Sequence, residues 1–209
     1  TRTVDASPEN MTQALVNSDN IWFAQVALKM GASAYLKGLE PLFKTQANLP
    51  LTMKKAQISN NGKLASETLL ADTAYGQGQL LLSPIEQAAM YSAIANDGTM
   101  QQPTLIQAAK GKRTSVLQSN AAKTVKTALT HVVSDQAGTA HDLAIDGHTI
   151  AAKTGTAELK QKQDTDGKEN GFLVAMDADK NTYLTVALIE GTGSGDVVTA
   201  MKPFVASLY

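Results

Sequence analysis

The 209-residue chain contains no cysteine. That absence removes disulfides, thiolate nucleophiles, iron–sulfur ligation and every zinc site built on cysteine. Aromatic residues are scarce, at 5%, so Leu, Val, Ile and the abundant Ala must build the core. Neither charge sign dominates, because 18 Lys and Arg face 19 Asp and Glu for a net charge of −1. No broad electrostatic footprint for nucleic acid or anionic lipid is expected from that balance. No apolar run approaches the roughly 20 residues that a membrane-crossing helix requires. The three histidines, His131, His141 and His148, lack His-Glu-x-x-His spacing and a neighbouring ligand cluster, so they imply no metal. What remains is a globular composition, 43% hydrophobic and 18% charged, at a length suited to about one domain. The opening at Thr1 carries no charged and apolar leader, as expected of a processed form or a piece of something longer.

The first third reads as helical. Asn10 with Gln13 has the form of a capping box, which sets a helix start near Met11. Apolar positions then run to Met30, where Gly31 stops them. The tetrad Asn17-Ser18-Asp19-Asn20 interrupts the run, because such side chains compete for backbone hydrogen bonds. Two helical pieces joined by a polar corner are expected. Leu36 to Leu82 reads as looser, punctuated by Gly38, Pro41, Pro50, Gly62, Gly76 and Gly78. Ser83-Pro84 supplies an N-cap and a first-turn proline for a helix that Asn96-Asp97-Gly98 ends. A third helix is expected from Ser119 to about Val133.

Beyond His148 the period shortens. Thr149–Ala157, Phe172–Met176 and Tyr183–Ile189 read as strands. Glu158 to Asn170 is charged and aperiodic, which predicts a long exposed loop, and residues 177–181 read as a hairpin connection. Tyr183–Ile189 is apolar in both alternate sets, so it should be covered on both faces. Gly191-Thr192-Gly193-Ser194-Gly195 lacks the last glycine of a dinucleotide fingerprint and the lysine of a phosphate loop. It reads as a strand-to-helix connection before a closing helix over about Asp196 to Leu208. Helices, then three antiparallel strands, then a helix make the class α+β.

Two short motifs carry chemistry. Ser18-Asp19-Asn20 sits at the helical corner and Lys153-Thr154-Gly155-Thr156 on a predicted strand. S-D-N and K-T-G, with S-x-x-K, form the signature set of class A β-lactamases and penicillin-binding proteins. Alone, the first triplet equally describes a helix cap, and the second arises by chance in many chains. Their order and their contexts make the combination informative.

The likeness extends past these triplets. Asn17-Ser18-Asp19-Asn20-Ile21-Trp22-Phe23-Ala24, Ala74-Tyr75-Gly76-Gln77-Gly78-Gln79-Leu80 with Ser83-Pro84-Ile85-Glu86-Gln87, and Lys153-Thr154-Gly155-Thr156-Ala157-Glu158-Leu159-Lys160 resemble the class B penicillin-binding proteins. These are D,D-transpeptidases that cross-link peptidoglycan. Ala157-Glu158-Leu159-Lys160 is most similar to the low-affinity, resistance-associated members of Gram-positive bacteria. Gly138-Thr139-Ala140 and Pro203-Phe204 fit as well, so the resemblance spans Met11 to Leu208.

That resemblance implies the penicillin-binding protein and serine β-lactamase type of fold, an antiparallel sheet packed with helices, here lacking its N-terminal part. Residues 1–209 would be the C-terminal portion of one transpeptidase domain, on the extracytoplasmic face of the bacterial membrane. No cofactor is implied. The implied partners are the peptidoglycan stem peptide, β-lactams and the N-terminal remainder of the same protein. Ser18 would relay a proton to the leaving group, Asn20 would hydrogen-bond the acyl side chain's amide, and Asp19 would brace the corner. Lys153 would place positive charge near the substrate's terminal carboxylate, and the Thr154 and Thr156 hydroxyls would bind it. Gly155 would let a ligand approach the backbone, while the Thr156 N–H would be one oxyanion donor. Substrate would add to this strand as a further β-strand. Residues 75–78 would form a structural loop.

One part of the signature is missing, because no serine in the chain has lysine three residues later. Ser33, Ser59 and Ser119 have it four residues later, and on the wrong side of Ser18. The nucleophile is therefore expected outside this chain, which would be inert alone. Two alternatives stand beside the transpeptidase. A serine β-lactamase would need a deacylating carboxylate, for which Glu67 is the nearest candidate, although Glu67-Thr68-Leu69-Leu70-Ala71 lacks the expected asparagine. A non-catalytic β-lactam-sensing or interaction module could use the same fold. An unpaired edge at Tyr183–Ile189 would favour docking of the missing portion or self-association.

Overall fold

The computed structural model describes residues 10–44, 49, 54–106, 109–159 and 168–209. In chain order the elements are α1 (Met11–Val16), α2 (Asn20–Met30), α3 (Ala32–Lys44), α4 (Glu67–Ala74), α5 (Pro84–Ala95), β1 (Thr99–Gln101), β2 (Arg113–Ser115), α6 (Ser119–Ser134), a 3-10 turn at His141–Leu143, β3 (Ile150–Leu159), β4 (Lys168–Asp177), β5 (Leu184–Glu190) and α7 (Ser194–Ala206). They divide into two compact units. Among the described residues, one holds Asp19–Lys123 and the other Asn10–Ser18 with Thr124–Tyr209.

The first unit is helical, with a small hairpin. Asp19 caps α2, its carboxylate accepting the N–H groups of Ile21 at 2.7 Å and Trp22 at 3.1 Å. Gly31, at φ 77°, ends that helix. Ala27 packs with Leu64 and Leu70 into a core against which Tyr35 and Leu36 of α3 also rest. Here the structure departs from the looser segment expected after Leu36, since α3 continues through Gly38 and Pro41 to Lys44. Tyr35, Leu36, Leu39, Leu42 and Phe43 recur at helical spacing and are each half-buried, and the partial burial of that stripe outweighs the local penalties of glycine and proline.

Ser83 and Glu86 form the capping box of α5, behind Pro84. The Glu86 carboxylate, 6% exposed, also accepts the Ala56 N–H at 3.0 Å, tying an incoming segment to this helix. Ala89, Ala93 and Met100 make a second core under the β1–β2 hairpin. That hairpin went unforeseen because strands of three residues are too short to show alternation.

The second unit is a three-stranded antiparallel sheet in the order β3-β4-β5. β4 is the buried strand, with Leu173, Ala175 and Met176 fully enclosed, and α7 lies across β4 and β3 through Val197 and Val205. Gly171 is required there. A Cβ at that position would fall 2.5 Å from Val197 Cγ2 and 2.6 Å from the Gly193 carbonyl oxygen. Asn10 and Gln13 form the capping box that starts α1. At the β4–β5 turn the Asp177 carboxylate accepts the N–H groups of Asp179, Lys180 and Thr182 and the Thr182 hydroxyl. Burial raises its pKa, but those four bonds outweigh burial and hold it at about 2.

Two expectations are corrected in this unit. Tyr183–Ile189 is not covered on both faces: β5 is half-buried over its first four residues, and Leu188 and Ile189 are each 36% exposed. Among the described strands it has β4 as its single neighbour, so part of its apolar surface meets solvent. The exposed loop expected over Glu158 to Asn170 does not hold at its two ends, because β3 runs through Leu159 and β4 begins at Lys168. Ladder pairing of Glu158 with Glu169 and Leu159 with Lys168 holds these residues without an apolar face. Residues 160–167 lie outside the described residues.

Candidate active site

Ser18 and Lys153 are 135 residues apart in sequence, and the structure brings them together. The Lys153 ammonium donates to Ser18 Oγ at 2.6 Å and to the Thr154 carbonyl oxygen at 2.8 Å. Local structure aims both groups. α1 ends at Asn17, and Ser18 follows with φ 53°, a left-handed conformation that side chains other than glycine and asparagine seldom adopt. Such strain persists only where the surroundings hold it. Lys153 projects from β3, next to the fully buried Ala151 and Ala152. Both of these bonds go to neutral oxygens, and burial lowers its pKa from 10.5 to about 8. An ammonium has only donors, so Ser18 Oγ accepts and the serine's own proton points elsewhere.

The remaining strand residues are held as tightly. Thr154 is 5% exposed, with its Oγ1 2.7 Å from Thr139 Oγ1. Thr156 Oγ1 accepts the Ser194 N–H at 3.1 Å, from the start of α7. At Gly155 an added Cβ would meet only Phe172 Cβ, at 3.7 Å. β3 stands at one edge of the sheet among the described strands. In the other unit, Asn20 begins α2 and is exposed, while Asp19 is buried and its carboxylate caps that helix. Glu67 is an exposed residue in the first turn of α4, where an acid suits the positive end of the helix dipole. Tyr75-Gly76-Gln77-Gly78 follows α4 as a turn, and Gly76 and Gly78 have φ of 89° and 71°. Thr139 and Ser194 were not among the candidate site residues. Thr139 lies in the Gly138-Thr139-Ala140 triplet, but nothing in local sequence says which hydroxyl it meets. Among the described residues no group of His, Asp or Glu could hold a metal ion.

An antiparallel sheet backed by a helix thus carries the Ser18–Lys153 pair beside the threonines of β3. The family model of the penicillin-binding protein transpeptidase domain matches residues 1–208, and the chain belongs to that family. It is 40% identical over 203 residues to penicillin-binding protein 3 of Bacillus subtilis, covering 92% of this chain and 30% of that protein. Peptidoglycan D,D-transpeptidase PbpA of Mycolicibacterium smegmatis is 27% identical over 161 residues, 71% of this chain and 32% of that protein. Among solved structures, PBPA of Mycobacterium tuberculosis superposes with a TM-score of 0.80 at 20% identity, over 98% of this chain and 52% of that one. Helicobacter pylori PBP2, solved in complex with MreC, gives 0.84 at 22% identity, over 96% of this chain and 40% of that one. The chain thus spans about a third of the length of the curated relatives it matches.

Proposed function

We propose that this chain is the C-terminal portion of the transpeptidase domain of a peptidoglycan D,D-transpeptidase, acting at the extracytoplasmic face of the membrane. The observation that carries the reading is the 2.6 Å bond from Lys153 to Ser18, which joins the two signature motifs. The nucleophile would come from a serine outside this chain. Its hydroxyl oxygen attacks the carbonyl carbon of a stem peptide's penultimate residue, the C–N bond to the terminal residue breaks, and the leaving amine takes a proton. An acceptor amine then displaces the serine and forms the cross-link. In a β-lactam the broken bond is the ring amide, and the tethered amine leaves slowly.

Ser18 would deliver that proton. Its hydroxyl gives a proton to the leaving nitrogen and takes one from Lys153, which burial has made a willing donor. Lys153 would regain its proton from the attacking hydroxyl, so that the nucleophile's proton ends on the amine and the lysine is again charged. Still largely protonated at neutral pH, Lys153 would also place charge beside the terminal carboxylate. Thr154 and Thr156 would grip that carboxylate, the Thr156 N–H would serve the oxyanion, and Asn20 would bind the acyl side chain. The edge position of β3 supports substrate pairing along it. The outer edge of β5 would seat the preceding portion of the domain or, without it, a second copy of this chain.

Labelling with a fluorescent penicillin tests the proposal. The full-length protein should take up one label and the 209-residue chain alone none. Adding the separately expressed preceding portion should restore labelling. A labelled 22.0 kDa chain would show that the nucleophile lies within it. An unlabelled full-length protein would overturn the transpeptidase reading, and sustained penicillin hydrolysis would point to a β-lactamase.

A further inference from the structure

The triplet Gly138-Thr139-Ala140 does more than join α6 to the sheet. Beyond Ser134 the chain doubles back through a closed set of bonds. Ala137 N–H meets the Asp135 carboxylate at 2.9 Å, Gly138 N–H the Asp135 carbonyl at 2.9 Å, and Ala140 N–H the Val132 carbonyl at 3.2 Å. A Cβ at Gly138 would fall 2.2 Å from the Val132 carbonyl oxygen, so only glycine permits the reversal. Ala140 and Leu143, at 0% and 1% exposed, anchor the far side. The result is an exposed threonine whose hydroxyl, with water freely available, is instead placed 2.7 Å from the buried Thr154 hydroxyl.

We propose that Thr139 is a positioning residue for carboxylate recognition, acting through Thr154. The inference rests on the reading above, in which Thr154 and Thr156 bind the substrate's terminal carboxylate. As placed, Thr154 donates to Thr139. Rotation about the two C–O bonds reverses that direction without moving a heavy atom. Thr139 then donates to Thr154, whose own proton is released to a third oxygen. A hydroxyl that accepts a hydrogen bond is a stronger donor, and an anion is the group that gains most from such a chain. The second hydroxyl is prepared in the same way: Ser194 N–H can only donate to Thr156 Oγ1, which fixes that side chain's orientation. Both hydroxyls are thus set before substrate arrives, and ligand binding need not order them.

The test uses the full-length protein and its Thr139→Val and Thr139→Ser variants. Each is acylated by benzylpenicillin and by its methyl ester, with the non-covalent dissociation constant separated from the acylation rate constant. Thr139→Val should bind the acid about five- to tenfold more weakly, the worth of roughly one hydrogen bond. Binding of the neutral ester, the acylation rate constant and the melting temperature should stay at the parent's values, and Thr139→Ser should restore binding of the acid. Equal losses for acid and ester, a loss that serine does not repair, or a valine variant indistinguishable from the parent would overturn the inference while leaving the transpeptidase reading intact. A parent that neither compound acylates would overturn that reading and this inference with it.

Discussion

Ser18 is the residue at which the fold and the proposed chemistry pull in different directions. Its left-handed backbone, at φ 53°, costs a residue with a Cβ about 1–2 kcal/mol. Ser18→Gly relieves that cost while Ser18→Ala keeps it, and both lose the hydroxyl. Thermal or denaturant unfolding should therefore find the glycine variant more stable than the alanine variant by about 1 kcal/mol. Penicillin acylation of the full-length protein should fall by about 10²-fold or more in both, as for loss of a proton-transfer group. Equal stabilities would argue against strain at this position. Lys153 makes a related prediction in pH. The folded chain releases the lysine's proton at about 8 and the unfolded chain at 10.5, so the unfolded state holds more protons across that window. Stability therefore rises with pH between those values, by about 3 kcal/mol when referred to a Lys153→Met variant that lacks the titration. Parallel unfolding curves of the two proteins from pH 7 to 11 measure the difference, and a constant gap would refute it.

At the scale of elements, the site depends on how α7 meets the sheet. Gly171 on β4 pairs with Thr156 on β3, and the missing side chain lets the start of α7 descend far enough for Ser194 to reach Thr156. In Gly171→Ala the new methyl would press on Val197 Cγ2 and on the backbone at Gly193, neither of which is the free end of a flexible chain. Overpacking of this kind costs roughly 1–3 kcal/mol. We expect an unfolding free energy lowered by that amount, together with weaker β-lactam binding. Full retention of both would mean that α7 shifts without consequence for Thr156. β3 contributes more than the lysine, since its buried Ala151 and Ala152 fix the register that sets Lys153 on one side and Thr154 on the other.

For the molecule as a whole, the exposed apolar residues of β5 determine how the isolated chain behaves. Leu188 and Ile189 lie on a strand that stands at the edge of the sheet among the described strands, where its backbone could pair with another chain. Light scattering on the 209-residue chain should show concentration-dependent association. Leu188→Lys should shift it toward the monomer, and so should addition of the preceding portion of the domain. A chain that stays monomeric and melts cooperatively at all concentrations would remove the case for a partner at this edge.

Much of this protein is legible in its sequence. Asn10 with Gln13, Ser83 with Pro84, and Gly31 are local signals, settled within a turn of backbone, and the helix starts and stops followed them. The three long strands showed themselves by their β-branched and apolar runs, and the two signature triplets by residue identity alone. What the residues could not reveal depends on contacts distant in sequence. α3 passes through Pro41 because its apolar stripe has a core to bury against. β5 is half-exposed because it stands at the end of the described sheet, a matter of strand order rather than composition. The pairing of Ser18 with Lys153 and of Thr139 with Thr154, and the lowered pKa of Lys153, arise from packing. Burial and distance are properties of the folded chain, and no window of sequence contains them.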